Sequence, residues 1–327
     1  MTPLRRHLAL STDLPAVELV AIARRAEELG VEAAWVTDIR FLRDCYVLLG
    51  AIAATTTRLV LAPGVSDPFS RHPASLAAAA ATLGELAPGR VILGLGAGGS
   101  GLDKIGVTRA DPVRTVEAAI ASMRAMLRGE QAEADTPGFR LREGKLAFGA
   151  DPRIPIALVA HGPVMQRLAG RVADLAFIAN YTRPEAVAWA RGHLRRGRAE
   201  RAERDGGPRE VWRVDVCVSP DREAARDVMR RRVTALLASG YYGASFLAPL
   251  GLERFAGDRT IGTADLDALV DAVAFAGTAD EVTARVADAV AACGFDEICY
   301  RPYLAPGQSV RDAVELVDGA LVRAAGG

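Results

Sequence analysis

Alternating strand and helix patterns along the whole chain predict a (β/α)8 TIM barrel. Short runs rich in Val, Ile, Leu and Ala, such as those at 58–63 and 154–160, are each followed by a helix pattern, and eight such units are present. Short apolar strands covered by helices are typical of a parallel sheet. The chain has 327 residues, of which 50% are hydrophobic, which suits one large core. We therefore expect a single domain over residues 1–327.

The first four units follow one another without interruption. Their strands are predicted at 7–12, 33–38, 58–63 and 91–99, and their helices at 16–30, 44–55, 73–86 and 112–127. Residues 130–153 then break this pattern, because they alternate with a period of two around Glu143-Gly144. That alternation predicts an inserted hairpin between the fourth and fifth units.

The remaining units contain one segment without a clear pattern. Their strands are predicted at 154–160, 174–180, 211–219 and 296–302, and their helices at 163–170, 184–204, 221–237, 278–292 and 310–324. Thr278 and Glu281 form a capping-box pattern, which predicts where one of these helices begins. Residues 240–269 match neither a strand nor a helix pattern and are predicted to be irregular.

The charge composition argues against nucleic-acid and membrane partners. The chain has 40 Lys and Arg residues and 40 Asp and Glu residues, so no net field would attract a polyanion. No segment has the features of a secretory signal or a membrane span. The four cysteines form no C-x-x-C pair and no spacing typical of metal ligands. We expect a soluble cytoplasmic protein that binds a small molecule and holds no metal.

Ligands of barrel enzymes bind where the strands end, so the residues after each strand are candidates for the site. The fourth strand ends in Gly94-Leu-Gly-Ala-Gly-Gly, which matches G-x-G-x-x-G. This pattern could bind a dinucleotide pyrophosphate, but it follows a fourth strand and its helix begins more than a dozen residues later. A glycine-lined strand exit that leaves space inside the barrel is the favoured interpretation. A flat ligand could occupy that space.

Two other strand ends carry candidate residues, each with an ordinary structural alternative. Asp38 could cap a helix or pair with Arg40 or Arg43, or it could place a carboxylate at the barrel mouth. His161 could contact a ligand or face solvent. Gly162-Pro163 begins a helix whose free backbone N–H groups would suit a phosphate, although proline is also common at a helix start.

Five stretches of the chain together carry a family resemblance. They are AWVTD (34–38), LAPGVSDPFSRHPASLAAAAATLGELAPGRVILGLGAGG (61–99), DPVRTVEAAIASMRAMLRGE (111–130), IPIALVAHGPVMQRLAGRVADLAFIAN (154–180) and AGTADEVTARV (276–286). In this order they resemble the luciferase-like flavin and deazaflavin oxidoreductases. Within that family, the resemblance is to the methylenetetrahydromethanopterin reductase branch, which uses coenzyme F420.

The resemblance implies a barrel that binds F420, or alternatively FMN, in its mouth. Gly64 and Val65 would be joined by a non-prolyl cis peptide bond that backs the tricyclic ring. Other residues near the ring would be Asp38, Ser66, Gly94 and Gly96. The ribityl and phosphate end would be held by Ala160, His161, Gly162, Pro163, Ile178, Ala179 and Asn180.

One departure from the reductase branch concerns the proton donor. The reductases carry a glutamate within strand one, where this chain has Ala9, Leu10 and Ser11. A pterin substrate is therefore not expected. Ser11 and Asp38 are the candidate catalytic residues, and Asp13 is a further possible proton source.

Three functional hypotheses follow from these observations. The first is an F420-dependent oxidoreductase that transfers a hydride between the deazaflavin and a small organic substrate. The second is an FMN-dependent monooxygenase that uses reduced flavin and oxygen. The third is a non-catalytic cofactor-binding barrel. The resemblance also implies a homodimer, and the apolar helices early in the chain would serve its interface.

Overall fold

The computed structural model describes residues 4–99, 101–201, 206–257 and 261–326. Its strands are Arg5–Leu10 (β1), Ala33–Val36 (β2), Val60–Pro63 (β3), Leu93–Leu95 (β4), Ala132–Asp135 (β5), Arg140–Gly144 (β6), Ile156–Val159 (β7), Leu175–Ala179 (β8), Arg209–Val218 (β9), Ala274–Gly277 (β10) and Glu297–Pro302 (β11). Its α-helices are Ala16–Glu28 (α1), Cys45–Ala53 (α2), Pro73–Leu86 (α3), Pro112–Leu127 (α4), Pro163–Val172 (α5), Pro184–Arg198 (α6), Arg222–Ala238 (α7), Ala244–Leu247 (α8), Thr263–Val273 (α9), Ala279–Cys293 (α10) and Val310–Ala324 (α11).

Eight parallel strands form a nearly closed barrel in the order β3-β2-β1-β11-β9-β8-β7-β4. The short strand β10 pairs in parallel with the end of β9. Between β3 and β4 the barrel closes through two isolated bridges, Leu61–Val91 and Ser66–Leu95. Helices connect the strands of this path, so the predicted (β/α)8 barrel is confirmed.

Two apolar clusters fill the molecule. The smaller one takes residues from all around the barrel and therefore lies inside it; its members are Ala9, Ala33, Trp35, Ala62, Ile92, Ala157, Leu175, Phe177, Val211 and Cys299. The larger cluster lies between the strands and the helices. Neighbouring residues such as Trp35 and Val36 alternate between the two clusters, as the period of a strand requires. Side chains that continue the inner series past the strand ends consequently point into the barrel mouth.

The predicted hairpin insertion is confirmed, because β5 and β6 pair in an antiparallel ladder. The segment 240–269 is more regular than predicted, since it contains α8, two 3-10 turns and most of α9. Strand β10 was missed because α9 runs directly into it, with no glycine or proline between Val273 and Ala274. The helix predicted over 184–204 ends at Arg198, and residues 202–204 lie outside the described residues.

Several local predictions can be compared with the structure directly. Thr278 and Glu281 form the predicted capping box at the start of α10. All four cysteines are buried and free. Among the described helices, none combines the length and the apolar character that crossing a bilayer requires.

Candidate active site

Gly64 and Val65 follow β3 and are partly exposed at the carboxyl edge of the barrel. The peptide bond between them is cis, as predicted. A Cβ atom on Gly64 would lie 2.9 Å from Cβ of Trp35, so the backbone at Gly64 packs directly on that residue. These residues form one wall of the barrel mouth, and Trp35 supports it from inside.

Gly94 and Gly96 allow β4 to approach the same wall closely. A Cβ atom on Gly94 would overlap the carbonyl oxygen of Pro63, and one on Gly96 would lie 2.8 Å from Cγ2 of Val65. The next α-helix begins only at Pro112, so these glycines do not open a helix as a dinucleotide motif would. The structure therefore supports a glycine-lined strand exit.

Trp35 is held by a polar support inside the barrel. Its Nε1 donates to Nδ1 of His7 at 3.2 Å, and its ring contacts Phe177 with 4.6 Å between centroids. Because Nδ1 accepts, the His7 proton is assigned to Nε2, which lies 3.6 Å from Oε2 of Glu297. Burial lowers the pKa of His7 to about 4, so the imidazole is neutral at pH 7 and can accept this hydrogen bond.

Asp38, at the end of β2, is held by an ion pair and a hydroxyl. Arg71 Nε donates to Oδ2 at 2.8 Å and Arg71 Nη2 donates to Oδ1 at 3.1 Å. Ser66 Oγ donates to Oδ2 at 2.6 Å. Burial opposes the charge of Arg71, but the hydrogen bonds and charges of Asp38 and Asp44 raise its pKa overall. Asp38 thus ties the end of β2 to the loop that follows Val65.

The two arginines that one alternative paired with Asp38 have other partners. Arg40 pairs with Asp67, and Arg43 Nη1 donates to the carbonyl oxygen of Asp13 at 2.7 Å. Between them the loop turns at Phe41, which has a φ of 67°. This turn directs the nearby arginines away, and the arginine that reaches Asp38 comes from the next loop.

Ser11 follows β1 and is partly exposed at the same edge of the barrel. Beside it, Thr12 N donates to Oγ1 of Thr37 at 3.1 Å, which joins the ends of β1 and β2. Ser11 and Asp38 therefore lie at the ends of two adjacent strands. No group of His, Cys, Asp and Glu in the described ranges is arranged to hold a metal ion.

His161 and the start of α5 lie across the mouth, after β7. Gly162 is the N-cap of α5, makes no side-chain capping bond and is followed by Pro163 at the first helical position. The His161 ring packs edge-on against Tyr241, with 4.1 Å between centroids. Burial, and then the charge of Arg213, lower the pKa of His161 to about 4. Its buried Nε2 has no hydrogen-bond partner within the described structure.

Of the remaining residues predicted to contact the coenzyme, some lie at the mouth and others have side chains in the outer core. Ala160 and Ile178 belong to the outer cluster, so only their backbone can face a ligand. Ala179 ends β8 and Asn180 follows it with a φ of 65°. The Asn180 side chain accepts a hydrogen bond from Arg213 Nη1 at 2.9 Å.

Arg213 and Asp215 of β9 were not among the predicted site residues, whereas Arg301 and Tyr303 lie at a strand end and so were general candidates without an assigned role. Arg213 and Asp215 pair with each other on β9, and Tyr303 donates to Asp215 Oδ2 at 3.3 Å. Arg301 lies beside Asp215 in the register of the two strands. The available signal was the alternation of charged with apolar residues in VWRVDVCV, which is unusual for a strand buried on both faces.

These features describe a (β/α)8-barrel enzyme with its site at the carboxyl ends of the strands. The family model described as luciferase-like monooxygenase matches residues 1–297. The chain belongs to this family.

Two relatives and one solved structure show which members of the family the chain is similar to. The chain is 32% identical over 286 residues to the 5,10-methylenetetrahydromethanopterin reductase of Methanolobus tindarius, covering 83% of this chain and 86% of the relative. It is 31% identical over 292 residues to a phthiodiolone/phenolphthiodiolone dimycocerosates ketoreductase of Mycobacterium tuberculosis, covering 80% and 75%. The coenzyme F420-dependent tetrahydromethanopterin reductase of Methanopyrus kandleri superposes with a TM-score of 0.78 at 18% identity, covering 98% and 99%, and shares the fold. The chain is an oxidoreductase of this family, which leaves the non-catalytic hypothesis without support.

Proposed function

We propose that this chain is an F420-dependent oxidoreductase that transfers a hydride between the deazaflavin and a small organic substrate. The observation that carries the proposal is the wall formed by Gly64, Gly94 and Gly96. The space beside these glycines is filled by Trp35, Pro63 and Val65, so the strands pack closely into one wall, and Trp35 backs it with a fixed aromatic ring. Such a flat, rigid surface suits a planar tricyclic group. The similarity to reductases of the F420-using branch favours the deazaflavin over FMN.

The opposite side of the mouth would hold the phosphate end of the coenzyme. The first backbone N–H groups of α5 receive no side-chain cap from Gly162, and the positive end of a helix favours an anion. His161 Nε2 lies nearby as a buried polar atom without a partner in the described structure. Ala160, Pro163, Ile178, Ala179 and Asn180 would complete this end through backbone and amide contacts. The residues present therefore fit the group that the family implies.

F420 supplies the hydride donor or acceptor when it is bound, and the chain supplies position and proton handling. Ser11 offers a partly exposed hydroxyl at the end of β1, which makes it a candidate proton donor to the substrate. Asp38 is engaged by Arg71 and Ser66, so its proposed contribution is to fix the loop next to the ring. The catalytic assignments of Ser11 and Asp38 are tested by their alanine and asparagine variants in single-turnover assays.

The proposal is tested by titrating purified protein with F420 and following the quenching of coenzyme fluorescence. We expect saturable binding that Gly96→Val weakens by at least tenfold, because Val65 already occupies the space beside Gly96. The matched control is Gly99→Val, since a Cβ there meets nothing within 4 Å. Absence of F420 binding by the folded wild-type protein would reject the proposal.

A second candidate is an FMN-dependent monooxygenase, which the description of the matching family favours. It requires tight binding of FMN at the same wall. Oxygen consumption with added reduced FMN and substrate, in a protein that does not bind F420, would establish it in place of the first proposal.

We also propose a homodimer built on α2 and α3. Val47 on α2 is 72% exposed and Leu86 on α3 is 56% exposed. Ala51 is exposed on α2, and Ala78 and Ala79 are partly exposed on α3, so a second copy could approach these helices closely. A cytoplasmic location and a single domain over the whole chain complete the proposal, and the free buried thiols are consistent with a reducing compartment.

A further inference from the structure

Three arginines lie near the Asp215 carboxylate at the β9 and β11 side of the mouth. Arg213 pairs with Oδ1 of Asp215, and Arg232 Nε lies 3.6 Å from Oδ2 of the same residue. The Asp215 side chain is fully buried. Arg301 is the third arginine, because β9 and β11 place it in register with Asp215. One carboxylate cannot neutralise three guanidinium groups.

Arg301 points into the mouth and has no carboxylate partner. Cys299, two residues earlier on β11, belongs to the inner cluster, so the alternation of the strand directs Arg301 to the same side. Its guanidinium carbon lies 5.3 Å from the ring centroid of Tyr303. Within the described part of the chain, no Asp or Glu forms an ion pair with it. The N–H donors of this half-buried guanidinium group are therefore available to an anion.

The neighbours of Arg301 increase this positive character. Tyr303 donates its hydroxyl to Asp215 Oδ2 at 3.3 Å, so one oxygen of that carboxylate is already engaged. The guanidinium carbon of Arg232 lies 5.4 Å from the Tyr303 ring centroid, and its buried Nε makes no hydrogen bond within the described structure. Burying cations is favourable only when an opposite charge approaches them.

We propose that Arg301, backed by Arg213 and Arg232, binds an anionic group on the small-molecule substrate, with carboxylate as the best match. A guanidinium fork binds a carboxylate through two parallel hydrogen bonds. The proposal rests on the proposed function, since it assigns the glycine wall and the start of α5 to the coenzyme. Arg301 lies on β11, which β9 and β8 separate from β7 and α5. Arg213 also contacts the proposed coenzyme end, because its Nη1 donates to Asn180 Oδ1 at 2.9 Å. The anion is therefore assigned to the substrate through Arg301, which is farther from α5 in the strand order than Arg213.

The test compares carboxylates with their neutral amides on protein loaded with F420. Acetate, succinate and benzoate are titrated against acetamide, succinamide and benzamide by calorimetry. We expect at least one carboxylate to bind at least tenfold more tightly than its amide, and Arg301→Gln to remove that preference. Arg301→Lys keeps the charge but loses the fork, so it should retain part of the preference. If the glutamine variant does not fold, the lysine variant alone tests the proposal through its reduced preference. The control is Arg311→Gln, an exposed arginine on α11 that pairs with Glu315.

The outcomes distinguish an anion of the substrate from an anion of the coenzyme. Unchanged F420 affinity in Arg301→Gln, with loss of carboxylate preference, supports the proposal. Parallel loss of F420 affinity would show that the arginines serve the anionic end of the coenzyme, which overturns it. Equal binding of acids and amides by the wild type, or equal loss in Arg311→Gln, also overturns it. If the unloaded protein prefers carboxylates but does not bind F420, the anion site stands and the proposed function fails.

Discussion

Replacing Gly94 with alanine tests the closed contact between β3 and β4. The new methyl group would overlap the carbonyl oxygen of Pro63 and lie 3.1 Å from Cζ3 of Trp35. A backbone oxygen cannot rotate away as a side chain can, so the two strands must separate. That movement opposes the hydrogen bonds that join them, from Ser66 N to Gly94 O at 3.1 Å and from Gly96 N to Ser66 O at 2.9 Å.

The expected loss of stability has two parts. Overpacking a close-packed interior costs about 1–3 kcal/mol, and contact with rigid backbone places Gly94→Ala at the upper end. Weakening two backbone hydrogen bonds adds about 1 kcal/mol for each bond. We therefore expect a decrease of about 3–5 kcal/mol in the free energy of unfolding, measured by urea titration with tryptophan fluorescence. F420 binding should be lost together with it, because the Gly64–Val65 wall moves.

Two neighbouring glycines provide graded controls for this prediction. In Gly96→Ala the nearest atom is a methyl carbon of Val65, which can rotate, so we expect a loss of only about 1 kcal/mol. In Gly99→Ala nothing lies within 4 Å of the new Cβ, and stability should match the wild type. If Gly94→Ala is as stable as Gly99→Ala and binds F420 normally, the steric explanation of the wall is incorrect.

Three further predictions concern the support of the wall, the dimer and the Asp38 ion pair. Burial lowers the folded-state pKa of His7 from 6.5 to about 4. The unfolded chain therefore binds a proton first, and stability is lost as the pH falls from about 6.5 to 4, by up to about 3 kcal/mol. His7→Gln should remove that part of the pH dependence, and an unchanged slope in acid denaturation would contradict the assignment. Val47→Glu should halve the mass measured by light scattering. The control is Val17→Glu on α1, where Val17 is 81% exposed, and it should leave the mass unchanged. If the Val47→Glu variant is still a dimer, the interface lies elsewhere. Asp38→Asn removes the charge that pairs with Arg71, so F420 binding should weaken by about tenfold, and equal affinity would argue that the loop after β3 is held without it.

The features near the mouth that the sequence could indicate depend on local signals. Gly64 and Gly96 come directly after buried strands and Gly94 lies within one, and the barrel brings strand ends together. The start of α5 is equally local, since glycine followed by proline marks a helix N-terminus whatever surrounds it.

The parts that were missed depend on long-range charge balance. One alternative paired Asp38 with an arginine two or five residues away, but its partner is Arg71 on the next loop. Arg301 and Asp215 lie 86 positions apart in sequence, and only the register of β9 and β11 makes them neighbours. Whether an arginine is paired is a property of the folded charge distribution, and a strand pattern carries no information about it.

Charge divides the barrel mouth into two unequal halves. On the β2 and β3 side Arg71 is paired with Asp38 and Arg40 is paired with Asp67. That balance suits a wall whose ligand is held by shape and stacking. On the β9 and β11 side positive charge exceeds negative charge around Asp215. The coenzyme would place its flat ring on the neutral β2 and β3 side. The substrate would then bring a negative charge to the β9 and β11 side. The orientation of coenzyme and substrate would then follow from the charge distribution of the barrel mouth.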